Sequence, residues 1–386
     1  MPDNVRPQAM THPPLGNLHA FVSAIADHHP PALSFLNPQF ADLAAWREAA
    51  RAKALELLRY TPPRVPLDPR IIEVVDKGDY LREKVTFASA PWSRVPAYVL
   101  IPKNRAAPMP GIVALHDHGG YYVQGKEKVV ETEHESSHLV AYRQSGYGGR
   151  AFATELARRG YVVIVIDAFY WGERRLDLQQ APPELVKEMQ RRAQFKTGVP
   201  GVNETYSLLE ELVMRHVVAA GATWMGILAH DDRTSVDYLA SRPEVDRERI
   251  GCVGLSMGGM RTNWLFGTDP RIRAAVTVGW MTDWRELMPE HIGRHSWAQY
   301  VPGLTGWLEL SDVAALGMPG ALMVQQCAQD ALFPLAGMQR TCARLEALYA
   351  KAGLSERFTY RFYDVPHQFD VEMQEEAFAW LDRWLK

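Results

Sequence analysis

The sequence predicts an α/β fold with a mostly parallel central sheet and helices on both faces. Three observations predict it. From residue 111 onward, short apolar runs alternate with helix-like segments, the pattern of a sheet fed by crossover helices. The run Tyr161–Ile166 (Tyr-Val-Val-Ile-Val-Ile) is continuously apolar and rich in β-branched residues, as a strand covered on both faces requires. A glycine-rich turn, Gly254 to Gly259, joins a strand-like run to a helix-like one.

Taken in order, residues 1–40 read as irregular, with several prolines. Ala41–Leu58 carries apolar residues at helical spacing and predicts an amphipathic helix that ends before Pro62 and Pro63. Residues 1–70 thus read as a helical N-terminal extension and residues 71–386 as the α/β domain. Ile71–Val75, Tyr80–Phe87 and Ala97–Ile101 read as extended segments suited to an antiparallel edge. The parallel strands are Ile112–Leu115, Tyr161–Ile166, Ile250–Leu255, Ala274–Val278, Ala321–Gln325 and Phe358–Tyr363. Helices are expected at Arg150–Arg159, Glu204–Ala229, Asp231–Ser241, from Met257, and near Val371–Leu385. Residues 172–230 read as a largely helical insertion, and residues 281–318 as a second one containing tryptophans. No internal repeat or low-complexity tract interrupts this order.

Bulk properties narrow the function. The chain has 386 residues, 47% hydrophobic and 23% charged, with a formal charge of -3, so nothing favours nucleic acid or an anionic membrane as partner. No segment has the length and apolarity of a membrane span. The polar, proline-rich stretch Met1 to Gly16 lacks the form of a secretory signal. Cys252, Cys327 and Cys342 are an odd number without metal-like spacing, and a reducing cytoplasm is expected. Self-association is left open.

The chemistry is carried by Gly254-Leu255-Ser256-Met257-Gly258-Gly259. It fits G-x-S-x-G, follows the apolar run Ile250–Val253 and precedes a helix-compatible segment, the strand–turn–helix context of a nucleophile elbow. Glycines flank the serine because a Cβ there would crowd a sharp turn. A serine in a tight turn is common, so partners decide the matter. A serine hydroxyl needs a base, and the base needs an orienting acid. His367 lies between the last strand and the last helix, and Asp330 follows the run Ala321–Gln325. They are the expected base and acid. Asp364 and Asp370 are rival acids too close to His367 in sequence.

Leu115-His116-Asp117-His118-Gly119-Gly120 follows the strand Ile112–Leu115, where an oxyanion donor belongs. The backbone N–H groups of Met257 and His118 are the expected pair, with Asp117 or Gly119 as rivals for the second. No metal site is expected: His116, Asp117 and His118 alternate in direction, and Glu133-His134-Glu135-Ser136-Ser137-His138 reads as a polar loop. Gly120-Tyr121-Tyr122-Val123-Gln124-Gly125-Lys126 approaches a P-loop, but Glu127 stands where a hydroxyl should hold Mg²⁺, so an NTPase is the competing class to exclude. No cofactor is expected.

Three stretches resemble one branch of a known superfamily: Asp232 to Leu239 with Ser241 to Asp246, Arg249 to Gly259, and His116 to Gly120 with Gly125-Lys126-Glu127-Lys128. With the helix around Trp46-Arg47-Glu48-Ala49-Ala50-Arg51, they are similar to the dienelactone hydrolase and acetyl xylan esterase-like branch of the α/β hydrolases, over roughly residues 40–386. The resemblance implies the α/β-hydrolase fold and hydrolysis of a small-molecule carboxylic ester, often an acetyl ester, through an acyl-serine and without cofactor. It also implies His118 as the donor position, although Asp117 replaces a glycine usual there.

A peptidase or carbon–carbon bond hydrolase on the same triad is the alternative, with a non-catalytic binding module behind it. A peptidase of this type usually carries a large N-terminal domain, and about a hundred residues is too little for a propeller. Trp280, directly after Ala274–Val278, is the first candidate for a substrate pocket; Trp171 and Tyr170, after Tyr161–Ile166, are next.

Overall fold

The computed structural model describes residues 14–103, 106–193 and 198–386. The first thirteen residues of the expected N-terminal extension lie outside the described residues. The strands are β1 (Arg70–Asp76), β2 (Tyr80–Ala90), β3 (Ser93–Pro102), β4 (Met109–Leu115), β5 (Val162–Ile166), β6 (Val245–Leu255), β7 (Ile272–Val278), β8 (Ala321–Cys327) and β9 (Phe358–Tyr363). The helices are α1 (His19–His28), α2 (Leu43–Leu57), α3 (Ser137–Tyr147), α4 (Phe152–Arg158), α5 (Pro183–Arg192), α6 (Gly198–Ala219), α7 (Trp224–Ala240), α8 (Met257–Thr268), α9 (Trp284–Glu290), α10 (Leu310–Ala315), α11 (Leu335–Lys351) and α12 (Val371–Leu385).

Among the described residues the nine strands form one sheet in the order β1-β2-β3-β5-β4-β6-β7-β8-β9. The β1–β2, β2–β3 and β3–β5 pairings are antiparallel; every pairing from β5 through β4 to β9 is parallel. The period of two along a strand sends alternate side chains to two separate cores. Val113 and Leu115 pack on one face, with Val162, Ile164 and Ile166; Ile112 and Ala114 pack on the other, with Val163 and Val165. Helices α7, α8 and α11 cover the first face, and α4 and α12 the second.

The N-terminal helix α2 is tied to this body. Its N-cap Asp42 accepts from Ala45 N–H, and its Arg51 donates to the carbonyls of Gly267 and Leu316. Among the described residues no single helix is long and apolar enough to cross a membrane.

Several expectations need correction. Residues 1–40 are not wholly irregular, because α1 forms between Pro14 and Pro30, both of which lie outside it. The expected helix Glu204–Ala229 is two helices. Ala220–Ala222 break it, Gly221 takes a positive φ of 83°, and Thr223 caps α7 through Gly226 N–H. Helices α3 and α11 were not expected at all. His134 precedes α3 while His138 lies within it, so these two histidines do not share a helix face.

Candidate active site

Since β4 to β9 run parallel, their C-terminal ends share one edge of the sheet, where ligands of such sheets gather. Four of the singled-out segments emerge there. His116 to Gly120 leave β4, Ser256 leaves β6, Asp330 follows β8 and His367 follows β9.

Ser256 stands between β6 and α8 at φ 59° and ψ -120°. A non-glycine residue seldom adopts a positive φ, and such strain persists only where the surroundings impose it. They do so here. Ser256 N–H donates to Val278 O at 2.9 Å on the neighbouring strand. A Cβ on Gly254 would lie 2.5 Å from Leu115 O, and one on Gly258 would meet the same oxygen. Only glycine at both positions lets the elbow press against β4.

Asp330 Oδ2 lies 2.6 Å from His367 Nδ1, and its Oδ1 accepts from Leu332 N–H at 2.8 Å. The Asp330 side chain is fully buried, whereas the His367 ring is partly open. An ionised carboxylate can only accept, so Nδ1 carries the proton and Nε2 keeps its lone pair. Gly279 closes the far side, where an added Cβ would sit 3.3 Å from the His367 ring. Ser256, His367, Met257, His118 and Trp280 line one cavity of about 520 Å³, together with Arg294, His295 and Phe333.

The loop after β4 is held firmly. His116 is fully buried, with Nδ1 against Asp117 O at 2.9 Å and Nε2 accepting from Ala168 N–H at 3.1 Å. Burial first, then the cations of Lys128 and Arg261, lowers its pKa well below the ordinary value, so it is neutral. The Asp117 carboxylate accepts from the hydroxyls of Tyr142 and Tyr147. Gly119, at φ 58°, has no room for a side chain against Tyr142 and Asp117.

Three sequence profiles match the chain: an Abhydrolase family over residues 18–190, the dienelactone hydrolase family over 146–280 and the prolyl oligopeptidase family over 223–386. The chain has the α/β-hydrolase fold. Its likeness to the dienelactone hydrolase family spans residues 146–280, and its fold is similar to that of acetyl xylan esterases. It is similar to YtaP of Bacillus subtilis (strain 168), a protein provisionally named a hydrolase, at 26% identity over 340 residues, covering 88% of this chain and 100% of YtaP. In fold it is similar to a Bacteroides fragilis NCTC 9343 protein provisionally named an acetyl xylan esterase, with TM-score 0.66, 19% identity, and 93% of this chain and 84% of that one covered. A glucuronoyl esterase from Solibacter usitatus superposes with TM-score 0.61 at 16% identity, covering 92% and 97%.

Within this α/β-hydrolase fold two pocket candidates are misplaced. Trp171 and Tyr170 do not line the cavity. They are buried in an aromatic cluster with Tyr122, Tyr206 and Trp224. Tyr170 OH donates to Tyr206 O at 2.8 Å and Trp171 Nε1 to His118 O at 3.3 Å. The physical reason is that the turn after β5 folds under the β4 loop, so its rings buttress that loop from below.

The structure also assembles a group that sequence reasoning missed. Gly120 N–H donates to His118 Nδ1 at 2.9 Å, so His118 Nε2 carries the proton that faces Glu210 Oε1 at 2.7 Å. Tyr122 OH and Ser296 Oγ donate to the same oxygen, at 2.8 and 3.3 Å. Burial opposes ionisation of Glu210, but His118 and these hydrogen bonds outweigh it and hold its pKa below the ordinary value. A buried salt bridge, Arg261 to Asp232, braces α8 against α7.

The stretch that approaches a P-loop is no phosphate cradle. Lys126 is buried and its Nζ contacts Asp167 at 2.7 Å, Glu173 at 2.5 Å and Glu127 at 2.9 Å. Those three carboxylates are also the one grouping among the described residues with metal-ligand spacing, and the lysine ammonium sits on all three. A short 3-10 turn, Lys126–Lys128, stands where a phosphate-binding helix would be needed.

Proposed function

We propose that this α/β-hydrolase cleaves carboxylic esters of small acyl groups through an acyl-serine on Ser256. The observation that carries the reading is the buried Asp330 bound to His367 beside a strained serine elbow, with His367 and Ser256 lining one cavity. Likeness to esterases of related fold supports it.

His367 Nε2 takes the proton of Ser256 Oγ as that oxygen attacks the ester carbonyl. Asp330 holds the ring and stabilises the imidazolium. The carbonyl oxygen becomes an oxyanion, bound by backbone N–H groups at Met257, at the N-terminus of α8, and at the β4 loop, with His118 as the donor there. The imidazolium returns the proton to the leaving alcohol, and water repeats the sequence to free the acid. Trp280 and Phe333 supply apolar cavity wall.

The prolyl oligopeptidase match over residues 223–386 favours peptide cleavage as the second reading, since the same three residues serve amide hydrolysis. Ser256→Ala should abolish hydrolysis of p-nitrophenyl acetate with its thermal transition unchanged; equal activity in the variant would refute the assignment. A panel of acyl esters run beside peptide p-nitroanilides decides between the two readings.

A further inference from the structure

Lys128 takes no part in the steps above, yet its fully buried ammonium lies beneath the β4 loop. Its Nζ donates to Asp117 O at 2.8 Å and to His118 O at 2.9 Å. The Asp117 carboxylate is farther, at 4.0 Å, and its two oxygens are occupied by tyrosine hydroxyls. The rings of Tyr121 and Tyr142 face the ammonium at 5.9 and 5.5 Å. A lysine placed only to neutralise Asp117 would contact the carboxylate. This one makes its short bonds to two consecutive carbonyls. Burying an ammonium is expensive, and here burial lowers the Lys128 pKa to about 8, against the pull of Asp117, Asp167 and Glu127.

Direction follows from peptide geometry. A trans peptide points its C=O and N–H opposite ways, and the cis bonds of the described residues are only Ala107-Pro108 and Met318-Pro319. Drawing Asp117 O down to Lys128 turns the His118 N–H up; drawing His118 O down turns the Gly119 N–H up. His116 Nδ1, Trp171 Nε1 and Tyr121 N–H reinforce the same two carbonyls. Among the described residues neither upward N–H has a protein acceptor, and residues 117–120 form a wall of the cavity that holds Ser256.

We propose that Lys128 is a positioning residue that holds the carbonyls of Asp117 and His118 inward, so that the His118 and Gly119 N–H groups face the oxyanion formed at Ser256. This rests on the acyl-serine reading. The lysine touches no substrate; it preorganises the dipoles that do, and its charge stands behind them.

The test uses Lys128→Met, Lys128→Gln and, as control, Ser256→Ala, each checked by circular dichroism. Hydrolysis of p-nitrophenyl acetate is measured alongside inhibition by phenylboronic acid, which forms a tetrahedral adduct on a serine. Loss of one preorganised donor costs on the order of 10²-fold in kcat, so Lys128→Met should lose about that much with KM changed less than about twofold. Boronate affinity should fall by the same factor as kcat/KM, and Lys128→Gln, which keeps an N–H donor, should recover part of both. If only the Gln variant folds, it carries the same comparison. Wild-type kcat and boronate affinity in a folded variant, an effect on KM alone, or failure of both variants to fold would overturn the proposal. Activity in Ser256→Ala would instead overturn the reading beneath it.

Discussion

Asp330 and His367 come from the ends of two neighbouring parallel strands, β8 and β9, and meet at 2.6 Å between Oδ2 and Nδ1. The adjacency of the strands makes the pairing a property of the sheet rather than of the loops. Asp330→Asn keeps the shape but offers an amide where the ring needs an acceptor, favouring the wrong tautomer. On the order of a 10³–10⁴-fold loss in kcat is expected with little change in KM, read by steady-state kinetics on p-nitrophenyl acetate.

Glu210 gathers three donors on one buried oxygen. Glu210→Ala strands the His118, Tyr122 and Ser296 donors, and each buried unpaired group costs about 1–3 kcal/mol. Thermal unfolding should report a drop of several degrees. Glu210→Gln, which can still accept from one donor, should lose less stability while lowering kcat more than it raises KM.

Trp280 and Trp171 should part company under mutation. Trp280→Ala enlarges the cavity wall and should shift preference toward longer acyl chains, seen as a change in the ratio of kcat/KM values across an ester series. Trp171→Phe removes the bond to His118 O and should lower activity on every ester alike, with a stability loss of about 1 kcal/mol. A changed acyl preference in Trp171→Phe would contradict its placement beneath the loop.

Glu309 has its pKa raised from the ordinary 4.5 to about 7, mainly by burial. A carboxyl raised in the folded state contributes stability that is complete below its unfolded pKa and is lost as pH rises through the folded one. Between pH 4.5 and 7 the wild type should therefore lose stability that Glu309→Gln keeps, by roughly 3 kcal/mol at most. Denaturant titrations of both proteins at pH 4.5 and pH 8 measure the difference.

Much of this was legible in the sequence, for reasons that differ by residue. Ser256 was legible because an elbow needs glycines at fixed offsets and a strand before it. Asp330 and His367 were legible because loop positions after strands are set by chain order. Tyr170 and Trp171 were assigned to the right edge of the sheet but to the wrong side of the β4 loop, since chain order fixes where a turn begins and not which way its rings fold. Glu210 was missed because its partner His118 is 92 positions away. A signal existed: it shares a helix face with Tyr206, Leu209, Met214 and Val217, where a lone carboxylate must find partners. Lys126 read as the lysine of a P-loop because a buried lysine and a phosphate-binding one look the same until the neighbouring carboxylates are placed.

The central claim is an acyl group on Ser256. Mixing enzyme with p-nitrophenyl acetate, quenching in acid within the first turnover and mapping peptides by mass spectrometry tests it most directly. One acetyl group is expected on the peptide containing Ser256, absent in Ser256→Ala and accumulating in Asp330→Asn more slowly than in the wild type. Turnover without any acetylated peptide, or acetyl on a different residue whose removal abolishes activity, would contradict it.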